Sequence, residues 1–169
     1  MNCVILAAGL GSRLKDLTKD RPKALIKIND FTLLDLQLKS VLSVGIKNIH
    51  IVIGYKSSLI EKHILENYDE RIKIIKNYDF SNCNSAFSWL LAAPYLIGKP
   101  CLHLNCDILF TKKALVSLIK LFEEEKLSII ACRKDLKLKN DMEQIVTDDN
   151  DIIKACINKY NNKLSGKAF

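Results

Sequence analysis

The residues best suited to chemistry lie near the start of the chain, in Leu6-Ala7-Ala8-Gly9-Leu10-Gly11-Ser12-Arg13-Leu14, with Lys23 following in Arg21-Pro22-Lys23. Small residues after a short apolar strand leave backbone N–H groups free to converge on an anion. Arg13 and Lys23 would then neutralise a triphosphate, one as a planar fork and the other as a mobile point charge. The plain alternative is a tight strand-to-helix turn flanked by solvated cations. Two familiar phosphate-binding designs do not fit. The dinucleotide fingerprint has a third glycine where this chain has Leu14, and an acidic residue after the next full strand, where Gly54-Tyr55-Lys56 stands. The pattern G-x-x-x-x-G-K-[ST] does not occur.

A second candidate is Asp107, in Asn105-Cys106-Asp107 at the end of an apolar run. A carboxylate there adds little to packing. It suits a hard cation such as Mg²⁺ held jointly with phosphate oxygens, or it caps a helix starting near Thr111. Cys101, His103 and Cys106 stand close by, but on a strand whose side chains alternate between faces. None of the six cysteines forms a C-x-x-C pair, so buried, reduced thiols are expected rather than a metal centre or disulfides.

The elements that must position these groups follow from apolar periodicity. Strands are expected at Asn2 to Leu6, Ile49 to Ile53, Ile72 to Ile75, Cys101 to Leu104 and Leu127 to Cys132. Helices are expected around Leu33 to Leu42, stopped by Gly45, at Ser57 to Asn67, at Ser85 to Leu96 and after Thr111. Alternating strands and helices imply crossovers, a mostly parallel sheet and helices on both faces. Three polar clusters then fall at strand ends: the first loop, Asn77 to Ser85, and Asn105 to Asp107. Ligands of such sheets gather there. Farther on, Gln144 to Val146 and Ile152 to Ile157 read as short strands around the turn Asp148 to Asp151.

The chain has 169 residues, enough for one domain spanning 1–169. Its 26 Lys and Arg against 19 Asp and Glu give +7, which favours an anionic partner. Basic and acidic residues are interleaved, and no helix-turn-helix pattern occurs, so nucleic acid is not the expected partner. The longest apolar stretch, Trp89 to Ile97, is too short to span a membrane and contains Pro94. No basic region precedes the apolar run Cys3 to Ala8, so a cytoplasmic protein is expected.

Leu6 to Leu14 with Pro22-Lys23 resembles the signature of the nucleotidyltransferases that make nucleotide-diphospho-sugars and related CDP-alcohols. The likeness continues through Gly45-Ile46-Lys47, Gly54-Tyr55-Lys56, Asn77, Tyr78 and Asn105-Cys106-Asp107, covering essentially the whole chain. It implies a Rossmann-like three-layer α/β/α sandwich with a mostly parallel sheet. Leu6, Ala7, Ala8, Gly9, Gly11, Ser12 and Arg13 would hold the nucleotide, Arg13 and Lys23 would be catalytic, and Asp107 would bind Mg²⁺.

Two departures stand out. Cys106 replaces the glycine that often precedes the motif's aspartate, and no Gln followed by a Gly motif occurs between Ile72 and Leu90. Asn82, Asn84 and Ser85 instead lead into a helix, similar to the phosphocholine cytidylyltransferase-like branch, which adds Asn84 and Ser85 to the nucleotide site. The implied reaction moves CMP from CTP, or a nucleotidyl group from another pyrimidine triphosphate, to a phosphorylated alcohol such as phosphocholine or to aminoethylphosphonate, releasing pyrophosphate. A sugar 1-phosphate acceptor with UTP or dTTP is the alternative, as is a nucleotide-binding remnant without turnover. Lys159 resembles the lysine that contacts the acceptor's phosphate, or is an exposed lysine on a terminal segment. Relatives typically continue past the segment matching Ile157 to Phe169. The expectation is therefore a chain lacking its C-terminal portion, which binds CTP–Mg²⁺ and turns over slowly or not at all.

Overall fold

The computed structural model describes residues 1–132, 143–158 and 163–167. They fall into two compact units, Met1–Ile129 and Ile130–Phe169. The first begins with strand β1 (Asn2–Ala7), buried along its whole length. Two 3₁₀ segments follow, Ser12–Thr18 and Lys23–Leu25, and then a small hairpin of β2 (Lys27–Ile28) and β3 (Phe31–Thr32). Helix α1 (Leu33–Ser43), β4 (Asn48–Ile53), α2 (Ser57–Asn67), β5 (Ile72–Lys76), α3 (Ser85–Ala92), β6 (Cys101–Asn105) and α4 (Lys112–Glu125) complete the unit.

The four long strands form a parallel sheet in the order β5-β4-β1-β6. Alternation along β1 divides the core. Cys3 and Ile5 face α1, α2 and α4, packing with Leu34, Leu38, Ile60, Ile64 and Leu115. Val4 and Leu6 face the opposite way, with Val52, Trp89, Ala92 and Leu96 around α3. The result is three layers, helices–sheet–helix, as the sequence pattern implied. The chain steps outward from β1 through β4 to β5, then returns to place β6 on the other side of β1. Loops leaving β1 and β6 diverge at that point and open a crevice at the carboxyl ends of the strands.

Two expected elements differ. The helix expected to reach Leu96 ends at Ala92, and a 3₁₀ turn, Ala93–Tyr95, follows. Pro94 has no N–H to continue the ladder, so the turn tightens there. Leu127 to Cys132 is not a strand. α4 ends with Lys126 in the left-handed region (φ 57°), and among the described residues no strand pairs with those that follow. A β-branched run without a ladder partner does not make a strand.

The N-terminus of α1 is fixed by a capping box in which Thr32 and Asp35 satisfy each other's backbone donors. The Asp35 carboxylate also accepts from Tyr68 Oη (2.6 Å) and pairs with His63 Nε2 (2.8 Å), tying α1 to α2. Burial alone would raise the pKa of Asp35, but donors from Tyr68, Thr32 and His63 outweigh it and lower it to about 2. A carboxyl depressed on folding adds stability above its unfolded value near pH 4, and that stability is lost as pH falls through 2. The expected loss is on the order of 2 kcal/mol. Chemical denaturation of the parent and Asp35→Asn should therefore show a stability gap at pH 6 that shrinks between pH 4 and 2. A gap independent of pH would contradict this assignment.

The second unit is an antiparallel sheet of β7 (Glu143–Thr147), β8 (Ile153–Asn158) and β9 (Lys163–Lys167). The Asp148 carboxylate accepts from the N–H groups of Asn150 (3.0 Å) and Ile152 (2.9 Å), closing the expected turn. β9 was not expected, since Lys163-Leu164-Ser165-Gly166-Lys167 carries no run of β-branched or aromatic residues. Among the described residues, no helix is long and apolar enough to cross a membrane.

Candidate active site

The loops after β1 and β6, together with the segment after β5, line a cleft of about 390 Å³. These are the three polar clusters at strand ends. Backbone hydrogen bonds knit them together: Cys106 N donates to Leu6 O (3.1 Å), Tyr55 N to Ala8 O (3.0 Å), and Asn77 N to Ile53 O (2.8 Å).

The first loop is shaped by two glycines and a close neighbour. Gly11 has φ 67°, in the left-handed region, and its carbonyl accepts from Leu14 N and Thr18 Oγ1. A Cβ at Gly11 would lie 2.9 Å from Thr18 Cγ2, so both conformation and space require glycine. Gly9 is different: a Cβ there would meet nothing within 4 Å. Its bareness keeps the backbone uncovered at the cleft. Gly54, at the end of β4, admits Phe80 against the loop from behind; a Cβ there would sit 2.6 Å from Phe80 Cβ and 2.8 Å from Ala8 O.

Of the residues expected to hold a nucleotide, Leu6, Ala8, Gly9, Gly11, Ser12, Arg13, Lys23, Asn84 and Ser85 line this cleft, and Asp107 joins them. Ala7 does not. Strand alternation turns its side chain into the core beneath α1. Lys159 lies outside the described residues. Phe80, Cys83, Ser88 and Asn105 also line the cleft. Phe80, Cys83 and Asn105 fall within the polar clusters expected at strand ends, with no individual role expected of them, and Ser88 falls outside; Phe80 lies 26 residues from Gly54, and no local spacing signals their contact.

Charge is concentrated at the mouth. Lys23, presented by a 3₁₀ turn after buried Pro22, pairs with the Asp107 carboxylate at 2.5 Å. Arg13 is exposed and makes no ion pair among the described residues. Asp107 does not cap α4: Thr111 holds that place, its side chain accepting from Ala114 N at 3.1 Å. On the far wall, Asn84 caps α3 by accepting from Phe87 N (3.2 Å), and buried Asn77 donates to Ser88 Oγ (2.9 Å). Burial pushes the Cys106 thiol up to about 11, with Asp107 adding to the rise, so it stays protonated at neutral pH. Cys101 and Cys106 pack on opposite faces of the sheet and share no site.

A crevice with a bare backbone loop, two cations and one strand-end carboxylate is built for a phosphorylated ligand. Residues 2–159 match the family described as nucleotidyl transferase. The chain belongs to that family. It is 30% identical over its whole length to the choline-phosphate cytidylyltransferase of Haemophilus influenzae, covering 68% of that protein. It is 40% identical over 88 residues to the CTP:phosphoglutamine cytidylyltransferase of Campylobacter jejuni, covering 52% of this chain and 34% of that protein. A UTP–glucose-1-phosphate uridylyltransferase of Haloferax volcanii is 34% identical over 68 residues, 40% of this chain and 28% of that protein.

Among solved structures, the CTP:phosphocholine cytidylyltransferase of Streptococcus pneumoniae superposes with TM-score 0.59 at 28% identity, over 66% of this chain and 47% of that one. The inositol-1-phosphate CTP transferase of T. maritima shares the fold, with TM-score 0.67 at 20% identity over 96% of this chain and 65% of that one. The nucleotidyl transferase chain thus spans about a third of its Campylobacter relative and about half of the Streptococcus structure.

Proposed function

We propose that this nucleotidyl transferase moves CMP from CTP to a phosphorylated alcohol, with phosphocholine the leading acceptor. The observation that carries the reading is the convergence of the bare loop, Arg13, Lys23 and Asp107 on one cleft. Cytidylyltransferase relatives at 30–40% identity support the choice of base.

Asp107 offers a hard oxygen donor whose side chain is 42% exposed on the same cleft as the anion loop. An oxygen donor beside an anion loop fits Mg²⁺ shared with phosphate oxygens. When bound, Mg²⁺ supplies charge neutralisation at the phosphates. The chain's own groups do the rest. Loop N–H groups from Ala8 to Ser12 orient the triphosphate, Arg13 covers charge at the rim, and Lys23 follows the phosphates as charge shifts toward pyrophosphate. The acceptor's phosphate is already anionic, so attack on the α-phosphorus needs no general base and no covalent intermediate. Catalysis is positioning and charge neutralisation.

A pyrophosphate-release screen tests this reading. CTP, UTP and dTTP are each paired with phosphocholine, aminoethylphosphonate and several sugar 1-phosphates. The expected outcome is release with CTP and phosphocholine, and CTP binding tighter than UTP. Equal affinity for CTP and UTP, with release on a sugar 1-phosphate, would favour the second reading, which the uridylyltransferase relative supports. Binding without release in any pairing would favour a nucleotide-binding role.

A further inference from the structure

Helix α1 carries one polar side chain that its core-facing position does not call for. Gln37 is 1% exposed and sits on the buried stripe with Leu34, Leu38 and Val41. Its Oε1 has no hydrogen-bond partner among the described residues. A leucine there would avoid burying that oxygen, so the amide is explained by what its nitrogen does. The amide nitrogen does have work: Nε2 donates to Asn105 O (2.8 Å) and Ile108 O (2.7 Å). Those carbonyls bracket Cys106 and Asp107, and Ile108 N closes the same turn onto Asn105 O (3.2 Å).

The same helix also anchors the other side of the ion pair. Leu33 N donates to Ile26 O (2.9 Å), and Ala24, next to Lys23, packs in the core with Leu34 and Leu38. α1 therefore sets the separation between the turn bearing Lys23 and the turn bearing Asp107.

We infer that Gln37 is a positioning residue: through the backbone of the Asn105–Ile108 turn, it fixes the Asp107 carboxylate for the cation that accompanies the triphosphate. This rests on the functional reading above, because it needs a cation–nucleotide complex in the cleft. The geometry gives a clear separation of effects. Removing the donor loosens the carboxylate directly, while the Ala8–Gly11 part of the loop keeps its own bonds, Ala8 O from Tyr55 N and Gly11 O from Leu14 N and Thr18 Oγ1.

Mn²⁺ serves as the probe, its free concentration followed by electron paramagnetic resonance in titrations of the whole chain with CTP present. Gln37→Met keeps the length and apolar volume of the side chain and removes the donor. The expected result is a Mn²⁺ half-saturation raised at least threefold, with metal-free CTP affinity within twofold of the parent. A merely structural role would lower the melting temperature and leave the Mn²⁺ half-saturation of the folded protein unmoved. Should Gln37→Met not fold, Gln37→Asn is scored in its place, since it keeps an amide but withdraws it from both carbonyls. A shift below threefold, or an equal loss of metal-free CTP binding, overturns the inference and leaves the functional reading standing. A parent that holds neither CTP nor Mn²⁺ with CTP overturns both.

Discussion

Replacing Arg13 or Lys23 with Ala is expected to weaken CTP–Mg²⁺ binding by about 1–3 kcal/mol each, roughly 5- to 150-fold. That is the scale of a charge-assisted hydrogen bond to phosphate. The two variants should differ in their side effects. Arg13 is exposed and unpaired among the described residues, so its loss should leave stability unchanged. Lys23 is paired with Asp107, but both side chains are open to solvent, at 27% and 42% exposure. Such a pair contributes little to folding, and the Lys23→Ala melting temperature should stay within about 2 °C of the parent. Isothermal titration calorimetry beside thermal melts checks both halves. If both variants bound CTP as the parent does, the phosphate-cradle reading would fail.

The largest structural effect is expected at Gly54. A methyl group there would meet Phe80 Cβ at 2.6 Å and Ala8 O at 2.8 Å, neither of them the far end of a flexible side chain. Either Phe80 leaves its place behind the loop or the Ala8 carbonyl moves, breaking its bond from Tyr55 N. Overpacking of this kind costs about 1–3 kcal/mol and occasionally more. Gly54→Ala should therefore lose about 3 kcal/mol in denaturant unfolding and weaken CTP binding, because the displaced atom belongs to the phosphate loop. Gly45→Ala is the contrasting control. Its space is open, but φ is 84°, so it should lose stability while CTP affinity holds. A Gly54→Ala protein with parent-like stability and affinity would show that the loop is not braced from behind.

Features that depend on near neighbours were legible from residue order. Short apolar runs placed the strands of the parallel sheet, and helical spacing placed α1 and α2. The start of α4 after Thr111 was legible because a hydroxyl placed before a helical apolar run can accept from a free N–H of the first turn, here that of Ala114. The small residues between Ala7 and Ser12 and the strand-end position of Asp107 pointed to the candidate cleft, because each departs from what packing alone would select. Where the local signal misled, a long-range condition was missing. Leu127 to Cys132 has the composition of a strand, yet strand formation needs a partner ladder that composition cannot supply.

How these parts meet depends on contacts between residues far apart in the chain. The order β5-β4-β1-β6 brings Lys23 and Asp107, 84 residues apart, into contact across the crevice. It also puts Phe80 behind Gly54, and it sends the amide of Gln37 from α1 to the Asp107 turn. The polar residue on an apolar stripe at Gln37 was visible in the sequence, but its partners are two backbone carbonyls, which every residue possesses and no residue type reveals. Side-chain periodicity is a local property fixed by strand and helix geometry. The pairing of distant backbone groups depends on which strand lies beside which, and that is settled only when the whole core closes.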